Sequence, residues 1–207
     1  MSHRAAFFLL TTCVAAGPAS AQGTPKGQKP LPAPALLLAP LSGQPIPVLP
    51  LTYIVSDSGI AGLPAARVAQ LAWVDSVLAE VLQARGPEAT WVFPPELRRV
   101  AKRGAGVVGN PDRMTQAVMR FSNVTKVPDP LLSNLRGLIA MTNSRYVMIP
   151  AMFRITRSPE GVKVEATLVL VDARSGAIPW RSSPVATAPT AAAALAATIA
   201  HILPDDH

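Results

Sequence analysis

Four cationic residues lie close together on a predicted helix that starts at residues 94–96 (Pro-Pro-Glu): Arg98, Arg99, Lys102 and Arg103. Residues four positions apart are neighbours on a helix, so these side chains are expected to form one basic stripe. Such a stripe can bind an acidic protein, an anionic lipid headgroup or a glycan. The alternative is a solvated helix face that binds nothing.

A glycine-rich segment follows the basic helix. Residues 104–109 (Gly-Ala-Gly-Val-Val-Gly) match the spacing of a dinucleotide-binding fingerprint, and Asp129 lies 20 residues beyond them. The fingerprint binds a pyrophosphate only where its glycines follow a strand and open a helix. Here a helix precedes the glycines, and Asn110-Pro111 starts a new one. We interpret the segment as a loop and expect no cofactor.

Residues suited to metal binding or catalysis are sparse. Beyond the amino-terminal segment the histidines are His201 and His207, and Asp205 and Asp206 belong to the tail. The only cysteine is Cys13, and no Gly-x-Ser-x-Gly segment is present. Metal sites and activated nucleophiles need more ligands or general bases than this. We expect no metal site, no catalytic residue and a non-enzymatic protein.

A polar turn at residues 56–59 (Ser-Asp-Ser-Gly) follows a predicted strand. The carboxyl end of a strand is where α/β proteins commonly bind ligands. The simpler interpretation is an ordinary turn between a strand and a helix.

The first 21 residues predict export. Arg4 precedes an apolar run at residues 5–16, and small residues at 19–21 place signal-peptide cleavage between Ala21 and Gln22. The apolar run is too short to span a bilayer, so the mature chain is expected to have no transmembrane span. We expect a periplasmic or secreted protein, with association to the outer membrane as an option, and no nucleic-acid partner.

An alternative processing route would lipidate Cys13. Residues 10–13 (Leu-Thr-Thr-Cys) are similar to a lipoprotein signal, although Thr12 is larger than the small residue expected there. The formal net charge of the chain is +7, and it falls by one when Arg4 leaves with the signal. The mature surface is therefore mildly basic, which favours anionic partners.

The next segment, residues 22–45, is rich in proline and is expected to be a tether or a strap over the domain. Residues 46–207 are predicted to form a single α/β domain. Hydrophobic periodicity predicts a mixed sheet of about four to five strands, covered by helices and including a carboxyl-terminal three-strand meander. The predicted elements are strands at residues 48–55, 90–93, 145–155, 162–171 and 177–181, and helices at residues 64–84, 94–103, 110–120, 131–141 and 191–203.

Three segments resemble a group of small α/β domains from bacterial envelope proteins. They are residues 48–51 (Val-Leu-Pro-Leu), residues 144–149 (Ser-Arg-Tyr-Val-Met-Ile), and the hairpin at residues 170–180, which contains Asp172, Gly176 and Trp180. The group comprises the amino-terminal domain of TolB and the periplasmic domain of the curli secretion channel CsgG. The resemblance implies an envelope-associated interaction domain and carries over no site residue. In the hairpin, Ile178 and Trp180 are expected on one face of the return strand.

The leading hypothesis is therefore an exported, non-enzymatic cell-envelope protein that acts as an interaction or assembly domain. Its expected partner is an envelope protein or an anionic surface that contacts the basic stripe. The alternative is a small binding module for a ligand or an anionic polymer.

Overall fold

The computed structural model describes residues 34–37, 39–85 and 88–203, all within one compact unit. The predicted signal peptide, the cleavage site at Ala21 and Gln22, Cys13, and residues 22–33 of the predicted tether lie outside these residues. The same is true of His207 and the acidic tail residues.

A five-stranded mixed sheet forms the centre of the described chain. Strand β2 runs parallel to β4, whereas β4, β5 and β6 form an antiparallel meander. Strand β7 pairs with the opposite end of β5, next to β6. The predicted mixed α/β fold and its meander are confirmed. The strands are β1 (Pro45–Pro47), β2 (Ile54–Ser56), β3 (Thr90–Val92), β4 (Tyr146–Ser158), β5 (Gly161–Asp172), β6 (Ala177–Ser182) and β7 (Val185–Ala188).

Four α-helices cover both faces of this sheet. They are α1 (Arg67–Arg85), α2 (Pro94–Arg103), α3 (Leu131–Thr142) and α4 (Ala191–Ala200). On one face, apolar residues of α1 and α4 pack around Phe153 of β4. On the other face, α2 and α3 pack against Ile149 of β4 and Val171 of β5. The sheet is thus buried on both sides, which explains the nearly continuous apolar runs of β4 and β5.

The single strand predicted at residues 48–55 is wrong: β1 ends just before it, β2 overlaps only its last two residues, and residues 49–53 belong to no strand. Strand β1 pairs in parallel with β3, and β2 pairs with β4. Between them, Val48 donates its amide hydrogen to Val92 O and Leu49 donates to Met148 O. Prolines at 45 and 47 fit β1 because they alternate with the residues that donate to β3. The segment predicted as a tether or strap thus reaches the first strand at its last residue, Pro45.

The segment at residues 110–120 is not the single helix that we predicted. Asn110 Oδ1 accepts a hydrogen bond from Asp112 N and caps a short 3-10 turn, and a second such turn spans Ala117–Arg120. Met114 and Met119 are both buried, and residues five apart do not share one face of an α-helix. Two separate turns bury both methionines.

Helix α1 begins at Arg67, three residues later than predicted. Val74, Leu78 and Leu82 are almost fully buried, as the periodicity indicates. The apolar spacing also predicts Val68 on this face, but Val68 is 79% exposed. It belongs to the first turn of the helix, where residues 65–69 are all exposed.

A β-bulge corrects one detail of the predicted hairpin. Strand β6 aligns Trp180 with Leu170 and Ala177 with Asp172, so it carries one more residue than β5 between these pairs. The extra residue reverses the alternation of side chains. Trp180 therefore packs with the α1 and α4 cluster, whereas Ile178 packs with the α2 and α3 cluster. The expectation that they share a face is wrong.

Residues 34–37 and 39–41 lie against the domain as a strap. Leu36 and Leu41 are nearly fully buried, and Leu36 N donates a hydrogen bond to Ile202 O at 2.6 Å. The indole Nε1 of Trp180 donates to the carbonyl oxygens of Pro34 and Ala35. Of the two interpretations of the proline-rich segment, these contacts support a strap from Pro34 onward. The domain boundary at residue 46 remains a prediction.

Candidate functional site

The predicted basic stripe lies exposed on α2, but its arginines are paired. Arg98 Nη2 donates to Asp112 Oδ1 at 2.7 Å, and Arg98 Nε donates to Asp112 Oδ2 at 2.9 Å. These hydrogen bonds raise the pKa of Arg98 above its ordinary value. Asp112 follows the glycine-rich loop, so the pairing joins α2 to the 3-10 turn that starts at Pro111. Arg98 is therefore already occupied by a carboxylate.

Glu96 occupies two more cations of the stripe. Its carboxylate oxygens lie 2.7 Å from Arg99 Nη2 and 3.3 Å from Arg103 Nη2. Among the residues that the structure describes, Lys102 is the member of the stripe without an ion pair. Much of the positive charge that the sequence concentrates on α2 is thus balanced on the same helix or by its neighbour.

A shallow groove of about 410 Å³ lies beside the stripe. Arg98, Lys102, Gly106 and Asp112 line it. The glycines follow helix α2 and precede a 3-10 turn, and Gly106 has a positive φ of 92°. This placement agrees with the predicted loop and differs from the strand-to-helix position of a dinucleotide fingerprint.

A larger groove of about 590 Å³ lies at the carboxyl end of β2. Strand β2, the turn at residues 57–60 and the first turn of α1 line it. Gln70 is buried at its wall, where Gln70 Nε2 donates to Pro64 O and Gln70 Oε1 accepts from Ser56 Oγ. The predicted polar turn at residues 56–59 is therefore part of a concave surface.

Arg157 of β4 fixes this turn. Its Nη2 donates to Ser58 O at 2.7 Å and to Gly59 O at 2.9 Å, and its backbone amide donates to Asp57 Oδ2 at 2.9 Å. Gly59 has a φ of 68°, and a Cβ atom there would lie 3.0 Å from the Arg157 guanidinium. Both the left-handed backbone and the close approach require glycine. The rim of the groove is consequently held in one conformation.

Two arginines converge on the ring of Tyr53 at this groove. The guanidinium carbon of Arg120 lies 4.0 Å from the ring centroid and that of Arg67 lies 5.5 Å from it. Such distances are typical of cation–π contacts. Within residues 34–37, 39–85 and 88–203, neither arginine forms an ion pair with a carboxylate. We call Tyr53, Arg67 and Arg120 the Tyr53 cluster.

Long-range contacts place Arg120 in this cluster. Gln116 Nε2 donates a hydrogen bond to Pro50 O at 3.1 Å. This bond holds the segment before Arg120 against the chain between β1 and β2. Arg120 Nε donates to Ala117 O at 3.0 Å, which directs the guanidinium toward Tyr53. The nitrogen atoms at the end of the side chain remain available to a bound anion.

A third groove of about 210 Å³ connects the two surfaces. It shares Tyr53 with the groove beside β2 and shares Asp112 with the groove beside α2. The three grooves therefore adjoin one another, and we call them together the arginine-rich track. Five cations and two carboxylates line it: Arg67, Arg98, Lys102, Arg113, Arg120, Asp57 and Asp112.

The carboxyl group of Asp75 is half-buried between α1 and the chain that precedes β2. Asp75 of α1 accepts a hydrogen bond from Leu51 N through Oδ1 at 2.9 Å. Burial raises the pKa of Asp75 to about 7, although the Leu51 hydrogen bond and Arg98 act in the opposite direction. Asp75 holds the chain between β1 and β2 against α1, and this chain leads directly into Tyr53.

The Tyr53 cluster was not predicted. Its members come from three separate segments, so no local pattern connects residues 53, 67 and 120. A tyrosine just before a short strand and an arginine at a helix start are common features with no specific chemistry. Only the folded structure shows that the arginines of the basic stripe are paired with carboxylates, whereas Arg67 and Arg120 have no such partner in the described residues.

Comparison with known proteins gives structural neighbours only. The sequence matches no protein-family model and no curated protein. The LpoB carboxyl-terminal domain from Salmonella enterica is similar at a TM-score of 0.40 and 15% identity, over 71% of this chain and 84% of that one. The PelC dodecamer from Paraburkholderia phytofirmans gives 0.40 and 14%, over 83% and 90%. The lipoprotein GNA1162 from Neisseria meningitidis gives 0.35 and 16%, over 70% and 80%.

These neighbours correct the predicted resemblance. They are an LpoB domain, PelC and a lipoprotein, and not the TolB amino-terminal domain or CsgG. The motifs that suggested TolB and CsgG are structural features of a sheet and its hairpin, so unrelated mixed sheets carry them as well. The TM-scores are too low to transfer any role to this chain. In the described part of the chain, no helix is both long and apolar enough to cross a bilayer.

Proposed function

We propose that this chain is an exported cell-envelope protein that binds an acidic partner protein along its arginine-rich track and catalyses no reaction. The signal-peptide pattern of residues 1–21 supports export to the periplasm or the outside of the cell. The mildly basic composition supports an anionic partner.

The observation that carries this proposal is the Tyr53 cluster. Two guanidinium groups beside one ring repel each other, and in the described residues no carboxylate balances them. A bound carboxylate would relieve this repulsion and form charge-assisted hydrogen bonds. Lys102 and Arg113 extend the same charge along the adjoining grooves.

A second candidate function is a small binding module for a ligand or an anionic polymer. The groove of about 590 Å³ beside β2 is large enough for a small molecule, and ligand sites commonly lie at the carboxyl ends of strands in α/β proteins. Its polar groups are largely bonded to each other, as the Ser56–Gln70 and Arg157 contacts show. This leaves the arginines as the groups that would select a ligand.

In-cell photo-crosslinking tests the proposed function. A photoreactive residue is placed at Val68, which is 79% exposed in the first turn of α1, or at Val107, which is 68% exposed on the glycine-rich loop. We expect a discrete protein adduct from the envelope fraction at position 68, a weaker one at position 107, and loss of both at high salt. Adducts with polysaccharide, or no adduct at either position, would contradict the proposal.

A further inference from the structure

Strand β2 is an open edge of the sheet. It pairs with β4 on one side, and no described strand pairs with its other side. Tyr53 O accepts a hydrogen bond from Phe153 N, and Asp57 N donates to Ile155 O. Backbone groups alternate in direction along a strand, so Ile54 and Ser56 direct their amide and carbonyl groups away from β4. These groups have no described backbone partner.

The groove beside β2 gives access to this edge. Residues 54–56 line this groove together with Arg67 and Gln70 of α1. The Ser56 hydroxyl is bound to Gln70, so the backbone of β2 is the hydrogen-bonding surface that remains. An extended chain that enters the groove therefore meets the edge of β2 and the guanidinium group of Arg67.

The opposite edge of the sheet is closed. Val127 N donates to Gly176 O, and Arg181 donates to the carbonyl oxygens of Met119 and Val124, so residues 119–127 cover β6. Pro179 removes a further donor from that strand. Strand β7 (Val-Ala-Thr-Ala) has no charged residue that would attract a partner. Of these edges, β2 has both backbone groups without a described partner and nearby arginines without a described carboxylate partner.

We propose that the groove beside β2 receives an extended acidic segment of a partner protein, which adds to β2 as a further strand and pairs its carboxylates with Arg67 and Arg120. This inference rests on the proposed function and names the kind of segment that the partner presents. Strand addition supplies affinity through backbone hydrogen bonds, and alternate side chains supply specificity. Acidic residues two positions apart lie on the same face of such a strand.

The first test is selection of binding peptides from a random displayed library with the mature chain as bait. We expect enrichment of Asp and Glu at alternate positions. A synthetic peptide from this selection should lose about tenfold in affinity when Arg67→Gln and Arg120→Gln are combined. The matched control combines Arg99→Gln and Arg103→Gln, which removes the same charge from α2 and should change the affinity less than about twofold. Circular dichroism verifies that both variants fold.

The second test asks whether the peptide binds as a strand. The selected peptide is synthesised with N-methyl groups on alternate amides, in each of the two possible registers. Strand addition predicts that one register abolishes binding and that the other preserves it, because only every second amide faces β2. Equal binding of the two methylated peptides would overturn strand addition without affecting the proposed function.

Other outcomes identify a different occupant. If polygalacturonate binds the wild type, fails to bind the Arg67→Gln and Arg120→Gln variant, and no peptide is selected, the groove is a glycan site and the inference is wrong. If peptides are selected but bind the double variant as well as the wild type, the Tyr53 cluster has no role. A protein adduct at position 68 combined with failure of the peptide tests would retain the proposed function and reject this mode of binding.

Discussion

The two arginine-rich surfaces differ in how their charge is balanced. On α2, Glu96 and Asp112 lie within ion-pairing distance of Arg98, Arg99 and Arg103. At the Tyr53 cluster, in the residues that the structure describes, Arg67 and Arg120 contact an aromatic ring and no carboxylate. The arginines on α2 are close together in the sequence, whereas Arg67 and Arg120 are far apart in it and meet only when the chain folds.

This difference shows that a run of cations in a sequence is a poor measure of available charge. Helical spacing that groups Arg99 and Arg103 also brings Glu96 beside them, because residues three and four apart share a face. Arg67 and Arg120 come from separate elements and meet only at Tyr53. We therefore expect an anionic partner to bind at Arg67 and Arg120 rather than at the basic stripe of α2.

The largest expected effect concerns the scaffold of the Tyr53 cluster. Arg67 is carried by α1, which packs in the same apolar cluster as Leu36 of the strap. Leu36→Ala should lower the free energy of unfolding by about 2–4 kcal/mol because it opens a cavity. The control Leu37→Ala should have almost no effect, since Leu37 is 71% exposed. Urea titration measures both, and equal small effects would show that the strap is a loose tether.

The second effect is pH dependence at Asp75. Because folding raises the pKa of this carboxyl to about 7, the folded state retains a proton that the unfolded state has lost. Stability is therefore lost as the pH rises from about 4 to about 7. Asp75→Asn should be more stable than the wild type by about 1–3 kcal/mol at pH 8 and equal to it near pH 4. An amide oxygen still accepts from Leu51 N.

Thermal unfolding of the wild type and Asp75→Asn from about pH 4 to about pH 8 measures this difference in stability. A constant difference between the two proteins at all pH values would show that Asp75 does not titrate in this window. If Asp75→Asn is less stable than the wild type at pH 8, the ionised carboxylate of Asp75 stabilises the folded state despite its burial.

A smaller effect is expected from charge reversal on α2. Arg98→Glu places a carboxylate beside Asp112, so we expect a loss of about 1 kcal/mol in stability. Reversal of Arg99, Lys102 and Arg103 with Arg98 retained should leave the melting temperature nearly unchanged. If the Arg98 variant is as stable as the wild type, its contacts with Asp112 contribute nothing to the fold.

The smallest effect on stability is expected from Glu96→Gln, at about 0.5 kcal/mol or less for exposed pairs. This change releases Arg99 and Arg103 from their shared carboxylate. Binding of an acidic peptide to α2 should then become detectable in the Arg67→Gln and Arg120→Gln background. If no binding is detected, pairing with Glu96 is not what prevents the basic stripe from binding acidic peptides.

Several features of the fold can be predicted from local signals in the sequence. Thr190 caps α4 by accepting a hydrogen bond from Ala193 N. Asp172 accepts from the amides of Arg174 and Ser175, and Gly176 has a φ of 76°, as the hairpin pattern indicates. Burial acts to raise the pKa of Asp172, but Arg145 and these amides outweigh it and lower that pKa. The cap and the turn depend on residues within a few positions, whereas the ion pair of Asp172 with Arg145 joins residues 27 positions apart.

Several features that depend on distant residues were not predicted. The bulge that separates Ile178 from Trp180 arises from the register of β6 against β5. Strand β7 was missed, because its four residues carry no strong pattern and its partner is the far end of β5. The Tyr53 cluster depends on Gln116 reaching Pro50 across the domain. No hydrophobic periodicity encodes such contacts.

The most direct test of this account is an NMR titration that follows the guanidinium signals of individual arginines. The probe is the selected acidic peptide, added to the folded mature chain. We expect the signals of Arg67 and Arg120 to shift with a common affinity and those of Arg98, Arg99 and Arg103 to remain nearly unchanged. Shifts confined to Arg99 and Arg103, with Arg67 and Arg120 unaffected, would contradict it.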